Sequence, residues 1–246
     1  MKRLMLGALV LGATPLVQAA PLVDAYFGAY TWDAEISGDI ASGGGNIDVE
    51  HDLGLDDSRE NVLFVGVEHA IPLIPNARIR HMEFSEGGSR TLGRNISFNG
   101  QDFLAGEEVS GDLDLELLDG TLYWSPLNNV VKLDLGVTVR RMEADFKVSG
   151  LGRAASESAN KTFPMGYLAA RVNLPLTGLY VGGEVNAITY DGSDMRDYTA
   201  RVGWQSDFLL GVEAGYSRLE VELDDVSGVD TDLEIGGPYL AATLRF

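Results

Sequence analysis

An apolar side chain recurs at every second position through ten separate segments of this chain, each about ten residues long. That period belongs to strands whose two faces meet different surroundings. In VVKLDLGVTVRR, Val131, Leu133, Leu135, Val137 and Val139 fall on one face, while Lys132, Asp134, Gly136, Thr138 and Arg140 fall on the other. GYLAARVNL sets Leu168, Ala170, Val172 and Leu174 against Tyr167, Ala169, Arg171 and Asn173. LYVGGEVNA, DYTARVGWQ and LLGVEAGYS repeat the arrangement and put Glu184, Arg201 and Glu213 on polar faces.

The earlier segments are less regular. DAYFGAYTW and NVLFVGVEH read as the first two strands, and ARIRHMEF as a third with Arg78 and Arg80 on one face. Near LDGTLYW the apolar positions change phase between Leu117 and Leu118, where a bulge is expected. No apolar stripe of helical period runs through the chain, and glycine is scattered where a helix would suffer. Nor does any later segment approach the 18 consecutive apolar residues of a membrane helix.

The N-terminus begins with Lys2 and Arg3, continues with an apolar run from Leu4 to Val17, and reaches small residues at Ala19 and Ala20. This is the layout of a secretory signal peptide, expected over residues 1–19, with residues 20–246 as a single barrel domain. The sequence holds no cysteine, so an exported form of it relies on packing, ladder hydrogen bonds or a membrane instead of disulfides. Its formal net charge is −19, which repels nucleic acid.

Connections alternate in length. IPLIPN, SPLNN, LPLTG and the SDF corner are short, whereas Ser37–Glu60, Glu86–Ser110, Ser149–Phe163 and Asp224–Leu233 read as long loops; the DGSDM connection is brief. Short turns at one end and long loops at the other characterise membrane barrels, and aromatic residues such as Tyr198, Trp204 and Phe246 near strand ends suit their interfacial girdles. The expected fold is therefore all-β: a closed antiparallel transmembrane β-barrel of ten strands, with eight as the alternative. Its apolar face points outward into lipid.

In the final YLAATLRF, Leu240, Ala242, Leu244 and Phe246 share the apolar face. The ending, with Tyr239, Leu244 and Phe246, resembles the C-terminal assembly signal of Gram-negative outer-membrane barrels, which implies recognition by the outer-membrane assembly machinery. VEHAIPLIPNARI, Val67 to Ile79, preceded by DLGLDDSREN, is similar to a family of small proteobacterial outer-membrane barrel proteins of unassigned activity. That resemblance implies location and fold and carries over no catalytic residue. Outer-membrane lipid and lipopolysaccharide are the partners it implies.

An outward apolar face collects Arg78, Arg80, Lys132, Asp134, Arg140, Arg171, Glu184, Arg201, Glu213 and Arg245 in the lumen, with Asp24 and Asp119 beside them. Opposite charges in a narrow, poorly hydrated space favour ion pairs over an open bore, and a barrel of this size has little interior to spare. A charge-plugged wall with a structural or surface-interaction role is the first expectation. A narrow passive channel for small solutes or ions is the alternative. Val137→Arg, facing lipid, is expected to cost about 2–4 kcal/mol, and Thr138→Arg, facing the lumen, much less.

Acidic residues concentrate at the long connections: nine against one basic residue, Arg59, between Asp33 and Glu60, and seven against none from Glu220 to Glu234. A solvated acidic rim accounts for them, with divalent cations at DLGLDD and ELDDVSGVDTD as a possible further partner. No dedicated metal site or cofactor is expected. His81, Glu83 and Ser85 share one strand face, yet residues two apart lie in a row and do not converge as a triad. The sequence therefore predicts no catalytic residues.

Overall fold

The computed structural model describes residues 23–42, 45–71, 73–206, 208–226 and 229–246. The expected signal peptide over residues 1–19 lies outside them. Ten long strands form the wall: β1 (Val23–Ser42), β3 (Asp57–His69), β4 (Asn76–Thr91), β7 (Glu108–Asn128), β8 (Val131–Gly150), β9 (Arg153–Asn173), β10 (Leu179–Tyr190), β11 (Ser193–Gln205), β12 (Leu210–Val226) and β13 (Val229–Arg245). Three short ones join them: β2 (Gly45–Asp48), β5 (Ile96–Phe98) and β6 (Gln101–Phe103). Each wall strand pairs antiparallel with its neighbour, and β13 returns to pair with β1 from Tyr26↔Arg245 to Ser42↔Val229. The sheet is closed, so no edge runs its full length.

β8 has 20 residues and β9 has 21. A tilted strand crosses hydrocarbon in about 9–11 residues, so half of each long strand projects beyond the membrane. This corrects the reading of Ser149–Phe163 and Asp224–Leu233 as loops. β8 and β9 remain paired to Gly150↔Arg153, and β12 and β13 to Val226↔Val229. The period-two pattern was harder to see there because both faces change character at the membrane boundary.

The change is sharpest in β7. Burial alternates without interruption from Glu108 to Trp124, and the register with β8 is continuous through Leu117↔Met142 and Leu118↔Arg141. No bulge separates Leu117 from Leu118; the ladder irregularity lies lower, between Trp124 and Leu127. Below the boundary, apolar residues face outward and polar ones inward, as with Leu118 and Leu122 against Asp119 and Thr121. Above it the faces exchange chemistry: Leu113, Leu115 and Leu117 are buried while Asp112, Asp114 and Glu116 are exposed. Water outside and an enclosed interior demand the one pattern, lipid outside and a polar interior the other.

The upper interior is thus a conventional apolar core, with Trp32, Ile36, Phe84, Leu115, Met142 and Phe146 packed together. It is roofed by Ile47, Val49, Leu53 and Leu55 near β2, and by Phe98 and Phe103 from the β5–β6 hairpin. Phe98 meets Phe146 edge-on at 5.1 Å. Fully burying one such ring contributes about 1.5–3 kcal/mol, which gives the long strands a reason to stay paired so far from lipid.

Candidate functional site

The lower interior is polar, and its side chains come from strands far apart in sequence. Arg140 on β8 is completely buried. Its Nε donates to Asp119 Oδ1 at 2.7 Å, and its Nη2 donates to Asp119 Oδ2 at 2.8 Å and to Asp197 Oδ2 at 2.7 Å. Arg80 on β4 reaches the same two aspartates, donating to Asp119 Oδ2 at 2.8 Å and also to Asp197. Two arginines and two aspartates, from β4, β7, β8 and β11, form a neutral quartet across the barrel. Neutrality matters because an unpaired charge here would cost several kcal/mol.

Below the quartet, Glu184 on β10 accepts a forked pair from Arg78, at 2.9 and 3.0 Å, and a further bond from Arg201 at 2.8 Å. Forked pairs fix orientation as well as charge. Glu213 on β12 accepts from the hydroxyls of Tyr180, at 2.8 Å, and Tyr239. Toward the end where the chain enters and leaves the wall, Glu68 is shared by Lys132, Tyr123 and Arg245, and Arg245 Nε also donates to Asp24 at 2.7 Å. Asp134 accepts from Ser125 and stands 3.7 Å from Lys132. Arg171 lies apart: its guanidinium stacks on Tyr180 at 4.7 Å, and its Nε has no hydrogen-bond partner among the described residues.

The structure places these side chains on the inner side of the wall. Asp197, Glu68, Tyr26, Tyr123 and Tyr180 were not named from the sequence. Asp197 and Glu68 carry the same signal as the others, since they alternate with Tyr198 and Val67 of the outer face. The tyrosines have a subtler one, in the inward glycines beside them. A Cβ on Gly66 would meet the Tyr26 ring at 2.3 Å, and one on Gly203 would meet the Tyr180 ring at 2.3 Å. Glycine lets each ring lie flat over the neighbouring strand.

Space inside is limited. A cavity of about 140 Å³ lies among Tyr30, Arg78, Glu184 and Arg201, and a wider mouth of about 750 Å³ opens near Asn76, Ser125 and Arg171. Above them stands the apolar core.

Thr138 requires a correction. It is fully buried, sharing a hydrogen bond with Thr121 at 2.8 Å and donating to Asn186 at 2.6 Å, so Thr138→Arg has no room and is not mild. His81, in a row with Glu83 and Ser85 on β4, does not face the lumen. It faces outward at the boundary, 3.1 Å from Glu116 and 3.7 Å from Glu83, while the Ser85 hydroxyl donates to Asp114 rather than to the imidazole. His51 pairs with Asp48, and His69 lies against Pro75 O. Among the acidic residues, Asp52 is held by Arg94, and no group of three or more metal-binding side chains converges among the described residues. The side chains of residues 224–229 lie outside the description.

The outer surface decides the setting. Phe27, Val65, Ile79, Leu122, Val137, Val181, Val202 and Leu244 are each roughly half exposed, in one continuous band around the wall. Trp124, Trp204 and Phe246 rim it at the short-turn end, and Tyr198 and Tyr216 lie toward the other. An apolar ring of this extent is far larger than water tolerates on a monomer, and hydrocarbon with aromatic girdles at its two interfaces is what it matches. The chain is an outer-membrane β-barrel. It sits in the Gram-negative outer membrane, surrounded by lipid and lipopolysaccharide.

Solved structures align with the chain over most of its length. The outer membrane protease OmpT from Escherichia coli aligns over 91% of this chain and 96% of its own, at 11% identity and a TM-score of 0.53. The translocator domain of the autotransporter NalP from Neisseria meningitidis aligns over 90% and 88%, at 14% identity and a TM-score of 0.43. At 11% identity the likeness to OmpT is one of fold. No family model and no curated protein sequence matches the chain.

Proposed function

We propose that this barrel is a closed wall, with a structural or surface-interaction role, that presents an acidic rim to the exterior. The observation that carries the reading is the Arg80–Arg140–Asp119–Asp197 quartet directly beneath an apolar core. An ion crossing the barrel would first have to separate buried, hydrogen-bonded charges and then traverse side chains that offer it no ligand. Residues 20–246 act as one domain in this reading, exported by the segment 1–19. Tyr239, Leu244 and Phe246 serve as the ending read by the assembly machinery.

The role is non-catalytic. Supporting this, His81 lies on the outer face with Glu116, and most charges of the polar interior are engaged with one another, as in Arg140–Asp119 and Arg78–Glu184. A narrow passage for small anions is the second reading, favoured by Arg171, whose guanidinium has a stacking partner but no carboxylate among the described residues. Planar-bilayer recording of the refolded protein separates the two. A silent bilayer is expected, and reproducible unitary steps at neutral pH would overturn the closed wall.

A further inference from the structure

The apolar half of the barrel is not completely filled. A cavity of about 110 Å³ is walled by Leu115, Met142, Phe146, Val221 and Leu233, under the ring of Phe98. Most of its lining gives water no hydrogen-bond partner, the exceptions being Glu157, Ser158 and Thr231. An apolar cavity of roughly 150 Å³ in another protein stays dry and accepts benzene or xenon.

Among the described residues, the wall around this cavity is open on one side. β10 ends at Tyr190 and β11 starts at Ser193, whereas β9 reaches up to Arg153. β9 pairs with β10 only from Gly166 to Asn173, and its upper part, Arg153 to Met165, pairs with β8 alone among the described residues. A gap therefore separates upper β9 from upper β12, above the short β10–β11 hairpin. Glu157 and Ser158 edge the cavity on one side, and Leu223 and Thr231 on the other. The gap begins near Pro164, which pairs with outward-facing Val139 at the top of the lipid-facing band and has no N–H to offer a neighbouring strand.

We infer that this cavity is a binding site for a small apolar molecule, about the size of a single benzene ring, entering sideways through the gap between β9 and β12. The route bypasses the ion-paired lumen, so it holds whether or not the barrel conducts. Enclosure by aliphatic and aromatic side chains selects for apolar shape.

The test is calorimetric melting of the detergent-solubilised protein with and without saturating benzene, for wild type and for Ala144→Leu, whose added methyls occupy the cavity. The wild-type Tm is expected to rise by several degrees and that of Ala144→Leu to stay unchanged. Equal shifts, which would report benzene acting through the micelle, or no shift in wild type would overturn the site. Ala159→Leu fills the same space from β9 and serves if the first variant does not fold. A free solute and a lipid acyl chain share this chemistry, and native mass spectrometry tells them apart. A phospholipid retained by wild type and lost from Ala144→Leu identifies the chain as occupant; a benzene response with no retained lipid identifies the free solute.

Discussion

Leu117 and Leu118 are consecutive residues of one unbroken strand, and they lie in opposite media. Leu117 is 2% exposed inside the upper apolar core, and Leu118 is 40% exposed on the lipid-facing surface. The boundary of the membrane passes between their side chains, and the same crossing appears on β8 between Val139 and Arg141 on the outside and between Arg140 and Met142 on the inside.

That boundary makes arginine substitutions depth-dependent. Val137→Arg, in the middle of the band, is expected to lower stability by about 2–4 kcal/mol, whereas Glu116→Arg, one step above the band, should change it little. Urea unfolding in lipid vesicles measures both. A Glu116→Arg cost equal to that of Val137→Arg would misplace the boundary.

Removing one member of the buried quartet should be worse than removing the charge pair together. Asp119→Ala leaves Arg80 and Arg140 sharing Asp197 and is expected to cost about 3–5 kcal/mol. Arg140→Met combined with Asp119→Leu should cost less than Asp119→Ala alone, because no uncompensated charge remains. A double-mutant cycle by urea unfolding reads the coupling.

Gly203→Ala tests the packing of tyrosine on the wall. The new methyl lies 2.3 Å from Tyr180 Cζ and displaces the ring, which breaks the hydroxyl contact to Glu213. A loss of about 1–3 kcal/mol is expected. The pair Gly203→Ala with Tyr180→Ala should recover part of it, as judged by the same unfolding assay.

Stability should respond to pH through the exterior carboxylates in opposite senses. Burial raises the Glu86 carboxyl above its usual range, partly offset by the Ser58 hydroxyl and reinforced by Glu60, Asp57 and Asp56. A raised folded value means that the native state holds the proton more tightly, so this group's contribution falls as pH rises from the ordinary glutamate range through the raised value. Glu86→Gln should therefore stabilise the protein at pH 7 and make no difference below the glutamate range. Asp48 is also pushed upward by burial, but the His51 N–H and imidazole outweigh this and hold it low. Its contribution is present above the ordinary aspartate range and is lost as pH falls through the depressed value. Asp48→Asn should then weaken the protein at neutral pH, the reverse of Glu86→Gln.

Much of the interior was legible from alternation alone. Once Val137 and Val139 are taken to face lipid, Thr138 and Arg140 must face in, and the same step reaches Arg78, Glu184 and Arg201. The upper strands were not legible in this way. Residues such as Ser156, Ser158 and Asn160 read as loop because their polarity suggests a connection, and only the partner strand β8 shows that they form a wall in water.

What the sequence by itself determined is the side of the strand on which each residue lies, because two-residue alternation is a property of the extended backbone and needs no partner. What only the tertiary structure decided is the medium each side meets and the company each charge keeps. Arg140 finds Asp119 at a separation of 21 residues and Asp197 at 57, distances in sequence that strand stagger and closure of the sheet convert into hydrogen bonds. The exchange of inside and outside chemistry at Leu117 and Leu118 likewise follows from where the closed barrel meets the lipid surface.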